Sequence, residues 1–254
     1  MPQLNKQAVS NSTLFFNDCF DVFPIIKDKS IDMIFCDLPY GTTNCSWDSV
    51  LDLPKLWKEY ERVIKDNGAI ILTAQTPFDK VLGVSNLKLL RYEWIWEKTT
   101  ATGHYNAKKM PMKAHENVLI FYKNLPTYNP IKTQGHKPVN SFTKYIETQN
   151  GTEIYGKSNK EVSGGGNTDR YPRSVQIFAS DKQKLKLHST QKPAALTDYF
   201  IETYSNEGDV ILDNCMGSGT TGDSCERLNR KFIGIENLKV HFDTAVNRIT
   251  QYCY

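Results

Sequence analysis

No stretch of this chain stays apolar for the roughly 20 residues that a bilayer crossing requires, and Met1 to Ser12 is polar, without the apolar core of a secretory signal. The expectation is a soluble, cytoplasmic protein that does not partner a membrane. Cysteine is sparse: Cys19, Cys36, Cys45, Cys215, Cys225 and Cys253 form no C-x-x-C pair. Cys36 and Cys215 sit in apolar strand or turn contexts, which favours reduced thiols over a disulfide framework or a zinc site, so no metal is expected. There is no internal repeat, and the net charge is only +3. What remains is a chain of 254 residues, 39% hydrophobic, long enough for one large α/β domain carrying an insertion.

The small net charge hides an uneven distribution. Lys98 to Lys192 carries 16 Lys and Arg against 6 Asp and Glu, while the remainder carries 15 against 22. A positive excess sustained over 95 residues suits a polyanion, and nucleic acid is the partner it points to. From Asn124 to Lys186 the composition is Lys, Asn, Thr, Ser, Gly and Pro, including Ser163-Gly164-Gly165-Gly166, with few apolar clusters.

On both sides of that segment, strand and helix patterns alternate. Strands are predicted at 11–16, 31–36, 69–73, 92–97, 117–122, 210–212 and 231–236, and helices at 51–64, 78–87, 194–204 and from 223 to 228. This implies an α/β fold, a doubly wound and mostly parallel sheet with a Rossmann-like crevice at the strand ends, interrupted by a basic, irregular insertion. The divisions are 1–123, an insertion at 124–187, and 188–254 as the second half of the same domain.

Two strand ends carry chemistry. Ile34-Phe35-Cys36 runs into Asp37-Leu38-Pro39-Tyr40, where proline stiffens a short loop that presents a carboxylate and a ring. Four such residues alone make a common turn. A flat ligand bearing an amino group would nevertheless suit them, with Asp37 accepting its N–H groups and Tyr40 stacking on its face. The second end is Val210-Ile211-Leu212-Asp213, followed by Asn214-Cys215-Met216-Gly217-Ser218-Gly219-Thr220-Thr221-Gly222. Gly217, Gly219 and Gly222 match G-x-G-x-x-G, and Glu236 ends the next strand 19 residues past Gly217, placed to accept from a ribose. An adenosine-bearing cofactor fits this pattern. Asp213 would attract the cationic amine of S-adenosylmethionine and repel the pyrophosphate of a nicotinamide dinucleotide, which leaves an oxidoreductase as the weaker reading.

Asp37-Leu38-Pro39-Tyr40, His188-Ser189-Thr190-Gln191-Lys192-Pro193 and Asp213 to Thr221, in that order, resemble the signature of the β class of amino-group DNA methyltransferases, and the likeness covers nearly the whole chain. The resemblance implies S-adenosylmethionine as cofactor, with Asp213, Gly217, Ser218, Gly219 and Thr220 around its methionine part, Glu236 on its ribose, Asp18 on its adenine side, and Thr190, Gln191 and Lys192 closing over it. It implies DNA as substrate. On this resemblance the target base would be flipped and stacked on Tyr40, and its amine would be held by Asp37 and the Leu38 carbonyl for direct transfer without a cysteine nucleophile. Asp as the first loop residue resembles the N6-adenine members rather than the N4-cytosine ones. Lys108, Lys109, Lys113, Arg170 and Arg173, interleaved with Tyr105, Tyr155 and Tyr171, are the expected DNA contacts, and Trp47 with Asp48 is a candidate gate. A homodimer and a companion restriction endonuclease are compatible partners, and a catalytically silent DNA-binding protein of this fold is the rival of a different class. The chain departs from the family pattern at Leu38, where a first proline is usual, and at Asn214-Cys215, where Pro-Phe is usual.

Overall fold

A computed structural model describes residues 4–42, 48–147, 159–180 and 191–251. Trp47, Tyr155 and Thr190, with His188 and Ser189, lie outside the described residues. Two compact units are present, Met1–Asn129 with Ser174–Tyr254, and Pro130–Arg173.

In chain order the larger unit contains β1 (Asn5–Val9), β2 (Ser12–Phe16), α1 (Cys19–Val22), β3 (Ile31–Asp37), α2 (Leu53–Val63), β4 (Ile64–Ala74), α3 (Phe78–Ser85), β5 (Leu90–Thr102) and β6 (Lys113–Phe121). The smaller unit contributes β7 (Phe142–Glu147) and β8 (Asn159–Gly164), after which the larger resumes with β9 (Val175–Phe178), α4 (Ala194–Tyr204), β10 (Val210–Asp213), α5 (Thr220–Arg227), β11 (Lys231–Glu236) and α6 (Lys239–Thr250). Nine strands form one sheet in the order β1-β2-β11-β10-β3-β4-β6-β5-β9. The run from β2 to β4 is parallel throughout, β6 is antiparallel to both of its neighbours, and β1 runs antiparallel to β2.

The central strands read as unbroken apolar runs because both of their faces are covered. Ile34 and Cys36 of β3 pack with Phe23, Leu56 and Tyr60 on one face, and Met33 and Phe35 pack with Phe200, Ile211 and Phe232 on the other. The N-terminal ends of α1 and α2 are capped by Asp18 and Asp52, whose carboxylates accept from Phe20 N and Lys55 N, as helix starts favour.

Several elements differ from expectation. Asp66-Asn67-Gly68 lies within β4 rather than in a turn before it. Ile31 pairs with Ile64 and Met33 with Ala69, so Lys65 to Gly68 stand opposite Asp32 alone in an irregular, bulged stretch of the ladder. At Gly68 a Cβ would stand 2.7 Å from the Asp32 carbonyl oxygen, which excludes a side chain. β5 continues to Thr102, because its polar second half pairs with the start of β6 instead of burying a face. α6 was unmarked by any motif, yet Phe242, Ala245 and Ile249 fall at helical spacing and are all buried.

The smaller unit is held by its own backbone ladder. Thr133 and Arg170 exchange hydrogen bonds of 3.0 and 2.9 Å, and β7 pairs antiparallel with β8. The Arg170 guanidinium donates to the carbonyls of Asn167, Asp169 and Lys137, and Lys132 pairs with Asp169 at 2.8 Å. Arg173 is exposed.

Candidate active site

The carboxyl ends of β3 and β10 are neighbours in the sheet, and a cavity of about 580 Å³ opens above them, lined among others by Asp37, Tyr40, Lys192, Asp213, Gly217 and Glu236. That volume suits a nucleoside-sized ligand. The sheet thus brings together two motifs 176 residues apart, at the place where a doubly wound sheet binds ligands.

At the first end, Asp37 is almost fully engaged. Its Oδ1 accepts from the Tyr40 hydroxyl at 2.7 Å and from Thr73 Oγ1 at 2.5 Å, and its Oδ2 lies 2.8 Å from Lys192 Nζ. Thr73 is there because β4 pairs it with Asp37 in the parallel ladder. Tyr40 stacks on Phe78, centroids 5.3 Å apart and planes 22° off parallel, which commits one ring face to the protein. Burial, followed by the Asp37 charge, holds the Tyr40 hydroxyl well above its usual pKa, so it stays a donor. Leu38 is buried in the core and anchors the loop from beneath. Beyond Tyr40, Asp48 accepts from Gly41 N at 2.8 Å and Thr42 N at 3.0 Å, which makes it the tie of that loop.

Lys192 faces Asp37 more directly than the resemblance implied. Its ammonium also lies 3.0 Å from Glu116 Oε2 and 3.3 Å from the Tyr40 hydroxyl. Burial alone would lower its pKa, but Asp37, Tyr40 and Glu116 outweigh that and hold it well above the usual value. Glu116 Oε1 in turn pairs with Lys98 at 2.6 Å. Burial would raise the Glu116 pKa, and the two lysines overcome it, keeping the carboxylate ionised.

At the second end, Asp213 accepts from Cys215 N at 3.1 Å and Thr221 Oγ1 at 2.6 Å, and burial raises its pKa to about 6. Such a group gains from a cation placed beside it. Glu236 joins two segments of the wall, accepting from Gly217 N at 3.0 Å and Leu238 N at 2.8 Å. The three glycines divide their work. At Gly217, φ is +51° and a Cβ would meet no atom within 4 Å; at Gly219, φ is +77° and a Cβ would stand 2.8 Å from Ala245 Cβ; at Gly222 it would stand 2.4 Å from Ile249 Cδ1. Gly217 therefore leaves the cavity open, while the other two let α5 pack against α6 and the sheet. Ser218 and Thr220 are buried beside them, and Arg248 donates to Thr220 Oγ1 at 3.0 Å. Both amide atoms of the buried Gln191 lack hydrogen-bond partners among the described residues, and the residue lines the cavity. Unsatisfied buried amides ask for a polar ligand, so the wall fits a nucleoside-bearing cofactor.

Lys108 and Lys109 are exposed on the connection between β5 and β6, next to the fully exposed Tyr105. Lys113 donates to Gln75 Oε1 at 2.8 Å at the cavity wall. Cys36 is fully buried and its thiol is pushed well above the usual pKa by burial, so it is packing rather than a nucleophile. Thr73, Phe78, Glu116 and Lys98 belong to the site and carry no motif. Only Thr73 had a local signal, as the end of an apolar run next in sequence to the catalytic strand.

Fold and site together define a group-transfer enzyme on a doubly wound sheet, with a strand-end carboxylate loop beside a cavity for a nucleoside-bearing ligand. The family model described as DNA methylase matches residues 31–247, and the chain belongs to this family of N6-adenine and N4-cytosine DNA methyltransferases. It is 29% identical to the type II methyltransferase M.HpaI of Haemophilus parainfluenzae over 88% of this chain and 69% of that one. It is 26% identical to M.HinfI of Haemophilus influenzae over 94% and 68%. In structure it resembles the M1.HpyAVI–SAM complex (TM-score 0.63, 22% identity, 93% and 99% covered) and the cytosine-N4-specific PvuII DNA methyltransferase (TM-score 0.67, 14% identity, 97% and 90% covered).

Proposed function

We propose that this DNA methyltransferase acts site-specifically on the N6 amino group of adenine. The observation that carries the reading is Asp37, a carboxylate at the end of β3, beside the Asp213 end of β10 and the cavity between them. S-adenosylmethionine, when bound, supplies an electrophilic methyl group. Asp213, Gly217, Gln191 and Glu236 hold it, with Asp18 and Thr190 as further contacts.

The chain's own residues do the rest. An exocyclic amine is a poor nucleophile because its lone pair is conjugated into the ring. Accepting its two N–H groups at Asp37 and the Leu38 carbonyl favours a pyramidal nitrogen with the lone pair free for attack. The base reaches this position only when flipped out of the duplex, at about a few kcal/mol, and the ring face of Tyr40 opposite Phe78 offsets part of that by stacking. Lys108, Lys109, Lys113 and Arg173 hold the DNA backbone. Arg170 orders its own loop first. The names of the relatives M.HpaI and M.HinfI fit a type II modification enzyme with a companion endonuclease, and a homodimer is compatible with that reading.

Adenine is favoured by Asp37 as first residue of the loop, and the PvuII likeness keeps N4-cytosine as the second reading. Base-modification sequencing of DNA from cells expressing the chain decides between them: N6-methyladenine at one recurrent site is expected, and N4-methylcytosine would overturn the assignment.

A further inference from the structure

Four charges alternate in sign across the floor of the cavity: Lys98, Glu116, Lys192 and the half-buried Asp37, at successive spacings of 2.6, 3.0 and 2.8 Å. The side chains of the first three are 8%, 11% and 9% exposed. Asp37 contributes the acceptor that the target amine needs, yet Lys192 occupies its Oδ2, while Tyr40 and Thr73 fill Oδ1. Glu116 shows the opposite condition. Its Oε2 already pairs with Lys192 Nζ at 3.0 Å, though without a well-directed hydrogen bond among the described residues, so this carboxylate oxygen can still take a full hydrogen bond from the same ammonium.

We propose that Lys192 is a placeholder for the target amine and that Glu116 is a positioning residue which receives it. The ammonium bridges Asp37 and Glu116; when the flipped base enters, Lys192 lets go of Asp37, stays on Glu116 Oε2, and Asp37 accepts the base N–H. The inference rests on the methyltransferase reading above. The incoming amine is neutral, so an ammonium displaced from Asp37 without a second carboxylate would be a buried unpaired charge, which is strongly disfavoured. Glu116 removes that cost. Lys98, fixed on Oε1 and 5.1 Å from the centre of the Trp96 ring, keeps Glu116 ionised and leaves Oε2 to the Lys192 ammonium. The exchange is the release by one lysine of one of its two carboxylate partners, and it also moves the cation that stands 5.3 Å from the centre of the Tyr40 ring.

The test measures preference for the amine itself. With the recognition site mapped, duplexes bearing either the target base or the same base with its amino group replaced by hydrogen are bound to wild type, Glu116→Gln, Lys192→Met and the double variant, with demethylated cofactor present. Glu116→Gln should reduce the preference for the amine-bearing duplex on the order of tenfold, within the coupling range of neighbouring charges, because Lys192 then stays on Asp37. Once Lys192 is Met, adding Glu116→Gln should change that preference less than about twofold, and Glu116→Asp should restore part of it in the single variant. A purely structural Glu116 would weaken both duplexes alike and lower the melting temperature in both backgrounds. That result, or a wild-type preference in Glu116→Gln, overturns the exchange. Failure of the wild type to methylate any DNA would overturn the functional reading and this inference with it, whereas intact wild-type transfer with a silent Glu116→Gln sinks the inference alone.

Discussion

Tyr60, in the helix that follows the catalytic strand, donates its hydroxyl to Asn214 Oδ1 at 2.5 Å, and both residues are buried. Asn214 stands where the family pattern has proline. A proline would stiffen the cofactor turn by itself; here a hydrogen bond from α2 does so. Tyr60→Phe leaves a buried amide oxygen unsatisfied and should cost about 1–3 kcal/mol. Thermal melting and cofactor titration should both weaken, and a variant as stable as wild type with unchanged affinity would detach the turn from α2.

Asp37→Ala should lower the methyl-transfer rate by about a hundredfold or more, while cofactor affinity measured by calorimetry stays within a few-fold, because Asp213 and Glu236 are untouched. Full activity in this variant would remove Asp37 from the mechanism.

Asp213 gives stability a pH dependence of definite sign. Its carboxyl has a pKa of about 6 in the fold against 3.8 ordinarily, so the folded chain takes up a proton before the unfolded one does. Its burial therefore costs nothing below the ordinary value, and the penalty grows to about 3 kcal/mol as pH rises through about 6. Without cofactor, Asp213→Asn should melt higher than wild type at pH 7.5, and the difference should vanish near pH 4. With S-adenosylmethionine present the order should reverse at pH 7.5, since the cationic amine favours the ionised form. Identical melting curves at pH 7.5 and 4 would contradict the assigned burial cost.

Two glycines only two residues apart should fail differently. Gly219→Ala drives a methyl against Ala245 at a positive φ and should destabilise by more than about 2 kcal/mol. Gly217→Ala meets no atom within 4 Å, so its cost is confined to the left-handed backbone, about 1–2 kcal/mol, and the larger loss should be in cofactor affinity. Denaturant unfolding and cofactor titration separate the two effects; equal stability losses would contradict the division.

Much of this arrangement is local and could be read from the chain. α4 and β11 begin and end where apolar spacing puts them, and Asp37, Asp213 and Glu236 are strand-end carboxylates that a parallel sheet places at the ligand crevice. What could not be read is produced by strand order. The placement of β6 between β4 and β5 brings Glu116 and Lys98 beneath Asp37, and no pattern inside Lys113–Phe121 announces it. The resemblance groups Lys192 with the cofactor residues by its motif, and the pairing of its ammonium with Asp37 is set by the reach of a long side chain, which the motif does not display. Asp48 likewise proved to tie a loop, a role that depends on two backbone amides no sequence pattern displays.

The adjacency of β3 and β10 has a genetic corollary. Strands that are hydrogen-bonded side by side do not record which was translated first, so a gene rearranged to encode Ser174 onward ahead of the first 129 residues, with a linker spanning the old ends, would still rebuild the same cleft. Motif order is then a label of ancestry, and the reaction is indifferent to it.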